Sequence, residues 1–224
     1  MAKHLDLEEQ EQLDQIKHFW AQWGNLITWA LIVVFGAMAA WNGWTYWQRS
    51  QAAKASALYE VLQRAAVADD AEKVERAFND LKSSFGDTTY ASQGALLAAK
   101  ALFDAKKSDA ARAALTWAMN DASDPAYRGI ARLRMAGIDI EAKAYDQALK
   151  QLEAPFPAEL EPLALDRKGD ALSAQGKTDE AKTLYQKAWQ SMSGRVEYRQ
   201  LIEVKLAALG VDTSSLGKAA EVSQ

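Results

Sequence analysis

At 224 residues with a formal charge of −4, two histidines and no cysteine, the chain offers no disulfide framework, thiolate nucleophile or Cys-based metal site. After Arg49 the charges are interspersed, 23 basic against 25 acidic, which leaves no concentrated basic face for nucleic acid. The 49% hydrophobic fraction leans on alanine rather than on the Ile, Val and Phe that sheets use, and so predicts an all-α fold of closely packed helices.

The first segment, residues 1–22, is an arm carrying Asp6, Glu8, Glu9, Glu11 and Asp14 with only Lys3 and Lys17 in opposition. Glu8 to Trp23 reads as a helix in which Leu13, Ile16 and Trp20 recur at spacings of three and four. That stripe suits an interfacial helix leading into a membrane, or a dedicated docking site.

Residues 23–48 follow as a span. No Asp, Glu, Lys or Arg occurs from His18 to Gln48. As a helix, Leu26 to Trp47 extends about 33 Å, against a hydrocarbon core of roughly 30 Å. Six of the eight tryptophans fall between Trp20 and Trp47, with Trp20, Trp23 and Trp29 towards one end and Trp41, Trp44 and Trp47 towards the other, as rings anchored at headgroup level would be. Two other readings stand beside an uncleaved anchor in lipid. A buried helix of a soluble domain has no reason to place aromatics at both ends. A cleaved signal has a small-x-small site at Ala37-Met38-Ala39, but the preceding segment is long and acidic where a signal starts positive. Gly36, Ala40 and Gly43 share a face with Asn42 beside them, a pattern that lets a second membrane helix approach closely. The few flanking cations do not decide orientation.

Residues 50–209 hold no strand-like run. SQAAKASALYEVLQRAAV and DDAEKVERAFNDLKSSF read as two helices, the second opened by an acidic turn. Beyond them a small-to-small interval of twelve recurs three times: Ala99 to Ala111, Ala136 to Ala148 and Gly169 to Ala181. The second member is followed by Leu115, Leu152 or Tyr185, then by Ala118 and Ala188 in two of the units. Ala111, Ala148 and Ala181 are 37 and 33 residues apart. Pro125 and Pro162 stand where new helices should begin, since proline is tolerated in a first turn but not inside a helix. This is tetratricopeptide spacing, in which two antiparallel helices stack tightly where small residues meet. The repeats are degenerate, with Pro155 at a small-residue position and APFPAELEP as an unusual connection, so a generic array of helical hairpins fits as well. Val196 to Leu209 forms an end cap closed by Gly210, and residues 210–224 read as a disordered tail.

Acid–base or nucleophilic catalysis needs a positioned His, Cys or perturbed carboxylate beside a second group, and both histidines lie in the arm. Glu60, Glu72, Glu75, Asp139, Glu141, Asp166 and Asp170 read as solvated helix faces. No phosphate-binding glycine loop or metal-ligand spacing occurs, so neither an enzyme nor a cofactor is expected. The concave side of a hairpin array instead offers a surface for an extended peptide or a helix, and Lys100, Phe103, Asp166 and Asp170 are predicted to line it.

The order of parts, an acidic-apolar arm (EEQEQLDQIKHFWAQWGN), one Trp-flanked span and a degenerate tetratricopeptide domain, resembles the YfgM family, the ancillary subunit of the bacterial SecYEG translocon. The resemblance runs from Leu7 to Gly210. It implies a single-pass bacterial inner-membrane protein with a cytoplasmic N-terminus and a periplasmic repeat domain. The implied partners are the SecYEG translocon, a membrane-anchored periplasmic prolyl isomerase and emerging secretory chains passed on to periplasmic chaperones. The family's arm is linked to a cytoplasmic stress-response regulator. Three functions are therefore carried forward: an adaptor at the translocon, a stress-signalling regulator acting through the arm, and an envelope-assembly scaffold.

Overall fold

The chain is described by a computed structural model covering residues 7–192 and 196–213. The first six residues of the arm, and the expected tail from residue 214 onward, lie outside the described residues. Among the described residues there are nine helices and no strand. The chain divides between Gln51 and Ala52 into two units.

Helix α1 runs from Leu7 to Val67 and so passes the dividing point; the first unit holds its part as far as Gln51. Its apolar side chains have nowhere to hide: Trp29, Val33 and Trp41 are 63%, 66% and 68% exposed. Of the most apolar window of this helix only 6% is buried, which is the opposite of a core helix in a soluble domain. Among the described residues, α1 is the one helix long and apolar enough to cross a membrane. Its backbone is tightened locally by Thr28 Oγ1 donating to the Gly24 carbonyl at 2.8 Å and by Thr45 Oγ1 donating to the Asn42 carbonyl at 3.0 Å.

The second unit is an array of hairpins. The end of α1, from Ala52, pairs with α2 (Ala71–Phe85), and α3 (Thr89–Asp104) pairs with α4 (Ser108–Asp121). Next come α5 (Pro125–Glu141) with α6 (Tyr145–Glu153) and α7 (Glu161–Ala174) with α8 (Thr178–Ser191), and α9 (Val196–Ala208) closes the end. Helix starts follow local chemistry. Asp70, Thr88 and Asp124 accept from the amides of Lys73, Ala91 and Ala126, and Pro125 and Pro162 sit in the first turns of α5 and α7.

Each hairpin turns in the same way. Asp69, Lys106, Lys143 and Gly176 have φ of 52°, 64°, 61° and 79°. The amide of the following residue then reaches back over the turn: Asp70 to Ala65 O, Lys107 to Leu102 O, Ala144 to Asp139 O and Lys177 to Leu172 O, at 3.1, 2.8, 2.8 and 2.9 Å. This 6→1 bond satisfies a carbonyl that the helix end would leave bare.

Counted from the left-handed residue, the packing positions repeat. Ala99, Ala136 and Gly169 precede it by seven, and Ala111, Ala148 and Ala181 follow it by five; all are buried. Leu115, Leu152 and Tyr185 come four residues later still, with Ala118 and Ala188 beyond, and are buried too. Gly169 has no latitude, because a Cβ there would lie 2.5 Å from Tyr185 Cε1. The same register extends to α1 and α2, where the positions are filled by Leu62, Val74 and Phe78, all buried. The array therefore holds four hairpins rather than three, and large side chains at the first hide it from a search for small residues.

Two departures shape the middle. Helix α6 stops at Glu153, and residues 154–160 run as a strap across the start of α5. There Arg132 lies 4.6 Å over the Phe156 ring and donates to Pro155 O at 3.1 Å. Gly129 makes room for the strap, since a Cβ would meet Leu160 at 2.7 Å. The second departure is Asp139, which the sequence places on a solvated face but which is 1% exposed. It occupies the position that Leu102 and Leu172 fill in the neighbouring hairpins and accepts from Arg112 of α4 at 2.6 Å, while its other oxygen is buried without a partner.

Two stability predictions follow from these contacts, both read from urea midpoints of the full-length protein. Gly169→Ala should cost about 1–3 kcal/mol, and less when Tyr185 is first shortened to Leu. Asp139→Ala should cost about 2–3 kcal/mol because it strands Arg112, whereas Asp139→Leu with Arg112→Met should be neutral or stabilising.

Candidate interaction surfaces

Two features of the second unit could serve a partner: an open groove along the first helices of the hairpins, and a buried polar node where α9 closes the array. Between α1 and α3 the groove opens into a cavity of about 710 Å³. Tyr59, Ala66, Val67, Leu97 and Ala101 give it apolar walls, and Gln63, Arg64, Lys100 and Asp104 stand around them. Lys100, expected in the groove, lines it and pairs with Asp104 one helical turn on. Phe103, expected beside it, instead packs partly into the core of the first hairpins and borders a separate hollow of about 230 Å³ with Ile138 and Ala142.

The register explains the groove's composition. Leu97 and Lys100 stand nine and six residues before the left-handed Lys106. The same two positions on the next helices are Arg134 and Gly137 on α5, then Arg167 and Asp170 on α7. Each arginine reaches back to the preceding first helix. Arg134 Nη1 donates to Leu96 O at 2.7 Å, and Arg167 Nη1 lies 3.5 Å from where a Cβ on Gly137 would be.

At the far end the structure corrects the sequence reading. Asp166 is neither a solvated side chain nor open groove lining: it is fully buried beneath α9. Asp170 is half-buried in the same node. Lys205 of α9 donates to both oxygens of Asp166, at 2.8 and 2.9 Å, and to Asp170 Oδ1 at 2.7 Å. Tyr198 donates to Asp166 at 2.8 Å and Tyr185 to Asp170 at 2.9 Å, with Arg167 3.8 Å from the other Asp170 oxygen. Burial raises the Asp166 pKa, with the Asp170 charge adding to it and Lys205 and Tyr198 opposing. Burial and the adjacent carboxylates likewise push the Tyr185 and Tyr198 hydroxyls up, so both remain donors. Arg199, stacked 3.7 Å over Trp189, and Glu203, accepting from Trp189 Nε1 at 2.8 Å, complete the attachment of α9.

The sequence reading missed Tyr198 and Lys205, although their spacing from Ile202 and Leu206 puts all four on the inward stripe of α9. Glu60, Glu72, Glu75 and Glu141 are exposed, as solvated faces should be. Among the described residues no group of three or more His, Asp and Glu could hold a metal ion. In the first unit Gly36, Ala40, Asn42 and Gly43 are exposed, with nothing opposite either glycine within 4 Å. Trp23 is exposed, Trp20 lies against Gly24, and Trp44 and Trp47 stack at 5.3 Å.

An exposed apolar helix joined to an array of small-residue hairpins defines a tetratricopeptide-type protein with one span-length helix. The model of a tetratricopeptide repeat-like domain matches residues 17–211. Three similar proteins are each called an ancillary SecYEG translocon subunit. That of Neisseria gonorrhoeae is 30% identical over 213 residues, covering 93% of this chain and 100% of the relative. That of Haemophilus influenzae is 28% identical over 200 residues, covering 89% and 97%. That of Escherichia coli is 25% identical over 178 residues, covering 80% and 85%. The chain belongs to the YfgM family, that of the ancillary SecYEG translocon subunits.

The node generates a pH prediction. Because the folded-state pKa of Asp166 stands above the unfolded value of 3.8, the folded state holds a proton that the unfolded state has lost between those two values. Stability contributed by this group therefore falls as pH rises through that window. The difference in urea midpoint between the wild type and Asp166→Asn should shift against the wild type as pH is raised from about 4 to about 7. A shift in its favour would show that the Lys205 ion pair outweighs burial.

Proposed function

We propose that the protein is a non-enzymatic adaptor of the bacterial inner membrane, anchored by an uncleaved α1 span and associated with the protein translocon. Its repeat groove, around Leu97 and Lys100, holds emerging secretory chains or a chaperone partner such as a membrane-anchored periplasmic prolyl isomerase. In this reading the N-terminus is cytoplasmic and the repeat domain periplasmic. The face formed by Gly36, Ala40, Asn42 and Gly43 receives another membrane helix, and the surrounding tryptophans sit at the lipid interface.

The observation that carries the reading is the full-length correspondence with a relative called an ancillary SecYEG translocon subunit: the match covers 93% of this chain and 100% of that protein, span and repeats together. The groove supports it, because an open apolar surface with a mixed polar rim suits transient contact with varied segments. A second reading, control of a cytoplasmic response regulator, draws on Leu13, Ile16 and Trp20, which are exposed along the arm part of α1.

The test is a photo-crosslinking residue at Lys100 of the full-length chain in living bacteria. Capture of translocon subunits, a periplasmic isomerase or secretory chains is the expected result. Capture of cytoplasmic proteins alone would invert the orientation and remove the adaptor reading. Deleting residues 1–20 should leave translocon capture intact; its loss would make the arm the docking element.

A further inference from the structure

The groove does not keep one character along the array. Between α1 and α3 its walls are Tyr59, Ala66, Val67, Leu97 and Ala101, and Lys100 is already paired with Asp104. One step on, at the same register positions, stand Arg134 and Gly137. Gly137 leaves room for Arg167, whose Nη1 lies 3.5 Å from where a Cβ would be, and Arg134 makes no ion pair among the described residues; it donates to the Leu96 carbonyl. Two steps on stands Arg167. Its carboxylate neighbour, Asp170, is 3.8 Å away and is already engaged by Lys205 and Tyr185. The acidic groups at that end are thus satisfied from within, whereas of the two guanidiniums at the register position of Leu97, Arg134 has no carboxylate beside it and Arg167 has only a share of Asp170 at 3.8 Å.

Partial burial works against the Arg134 charge, with no anion beside it to compensate. A carboxylate arriving from outside would relieve that cost with a charge-assisted bond and need displace no internal counter-ion. Neighbouring first helices lie about 8–10 Å apart and an extended chain advances about 3.3 Å per residue, so one step of the array matches about three residues of peptide.

We propose that the groove binds an extended segment whose apolar side chains sit between α1 and α3 and whose acidic side chains, about three and six residues away, meet Arg134 and Arg167. This rests on the reading of the groove as the adaptor's peptide surface and specifies its ligand chemistry: apolar at one end, acidic at the other.

The experiment uses the full-length chain in detergent micelles and fluorescence anisotropy. The probe is a labelled serine-based decapeptide with a Leu-Phe pair at one end and glutamates three and six residues beyond, made in both chain directions. The comparison is its glutamine twin. In low salt one direction of the glutamate peptide should bind about tenfold tighter than its twin, and the margin should shrink in about 0.5 M salt. Arg134→Gln and Arg167→Gln should each reduce the margin, whereas Arg134→Lys should keep most of it; matched urea midpoints show that the fold is intact. Equal binding of the twin, no binding of either peptide, or an unchanged margin in both glutamine variants overturns the proposal. Crosslinking at Lys100 reports separately. Translocon capture without peptide discrimination leaves the adaptor standing and removes the acidic preference, while discrimination without capture does the reverse.

Discussion

Everything in the second unit depends on how closely two antiparallel helices approach within a hairpin. The left-handed residue and its 6→1 amide bond fix where the second helix starts, and the residues seven before and five after that point decide how near it lies. With Ala or Gly at those positions the backbones nearly touch, and one larger side chain, Leu115, Leu152 or Tyr185, fills the remaining space. Because this geometry recurs, so do the outward positions. The groove is the accumulated outcome of four similar turns rather than a separately built cleft.

Among the described residues charge is admitted to this interior at two places, and in both it joins elements rather than stabilising one. Asp139 and Arg112 connect the second hairpin to the third where a leucine would otherwise pack. Asp166 and Asp170 join Lys205 and two tyrosines to attach α9. An apolar contact tolerates small slides, whereas a buried ion pair with fixed donors does not, so these pairs specify register more than they add stability.

Much of the architecture is legible in the sequence because small residues at an interval of twelve have few other uses. The interval from Gly169 to Ala181 marks its hairpin without any structural help, and so does the uncharged stretch from His18 to Gln48 for the span. What escapes is instructive. The first hairpin is hidden because Leu62 and Val74 replace small residues with large ones, and only the left-handed Asp69 reveals the shared register. The candidate groove is less legible than the fold. Asp166 looks exposed from its own helix, because its burial comes from α9, thirty-odd residues away, through a lysine on that helix's apolar stripe. Arg134 and Arg167 read as ordinary surface charges until the register assigns them equivalent positions.

Three of the four hairpin turns place a side chain in the left-handed conformation: Asp69, Lys106 and Lys143, where only the fourth has a glycine, Gly176. Each such residue carries a cost of about 1–2 kcal/mol that a glycine would not. The joints are therefore held below the rigidity their own geometry permits; Asp69 borders the groove, while Lys106 and Lys143 are not among the residues that line it. At Lys106 and Lys143 resistance to heat or force can thus be set one hairpin at a time, without replacing any residue that lines the groove.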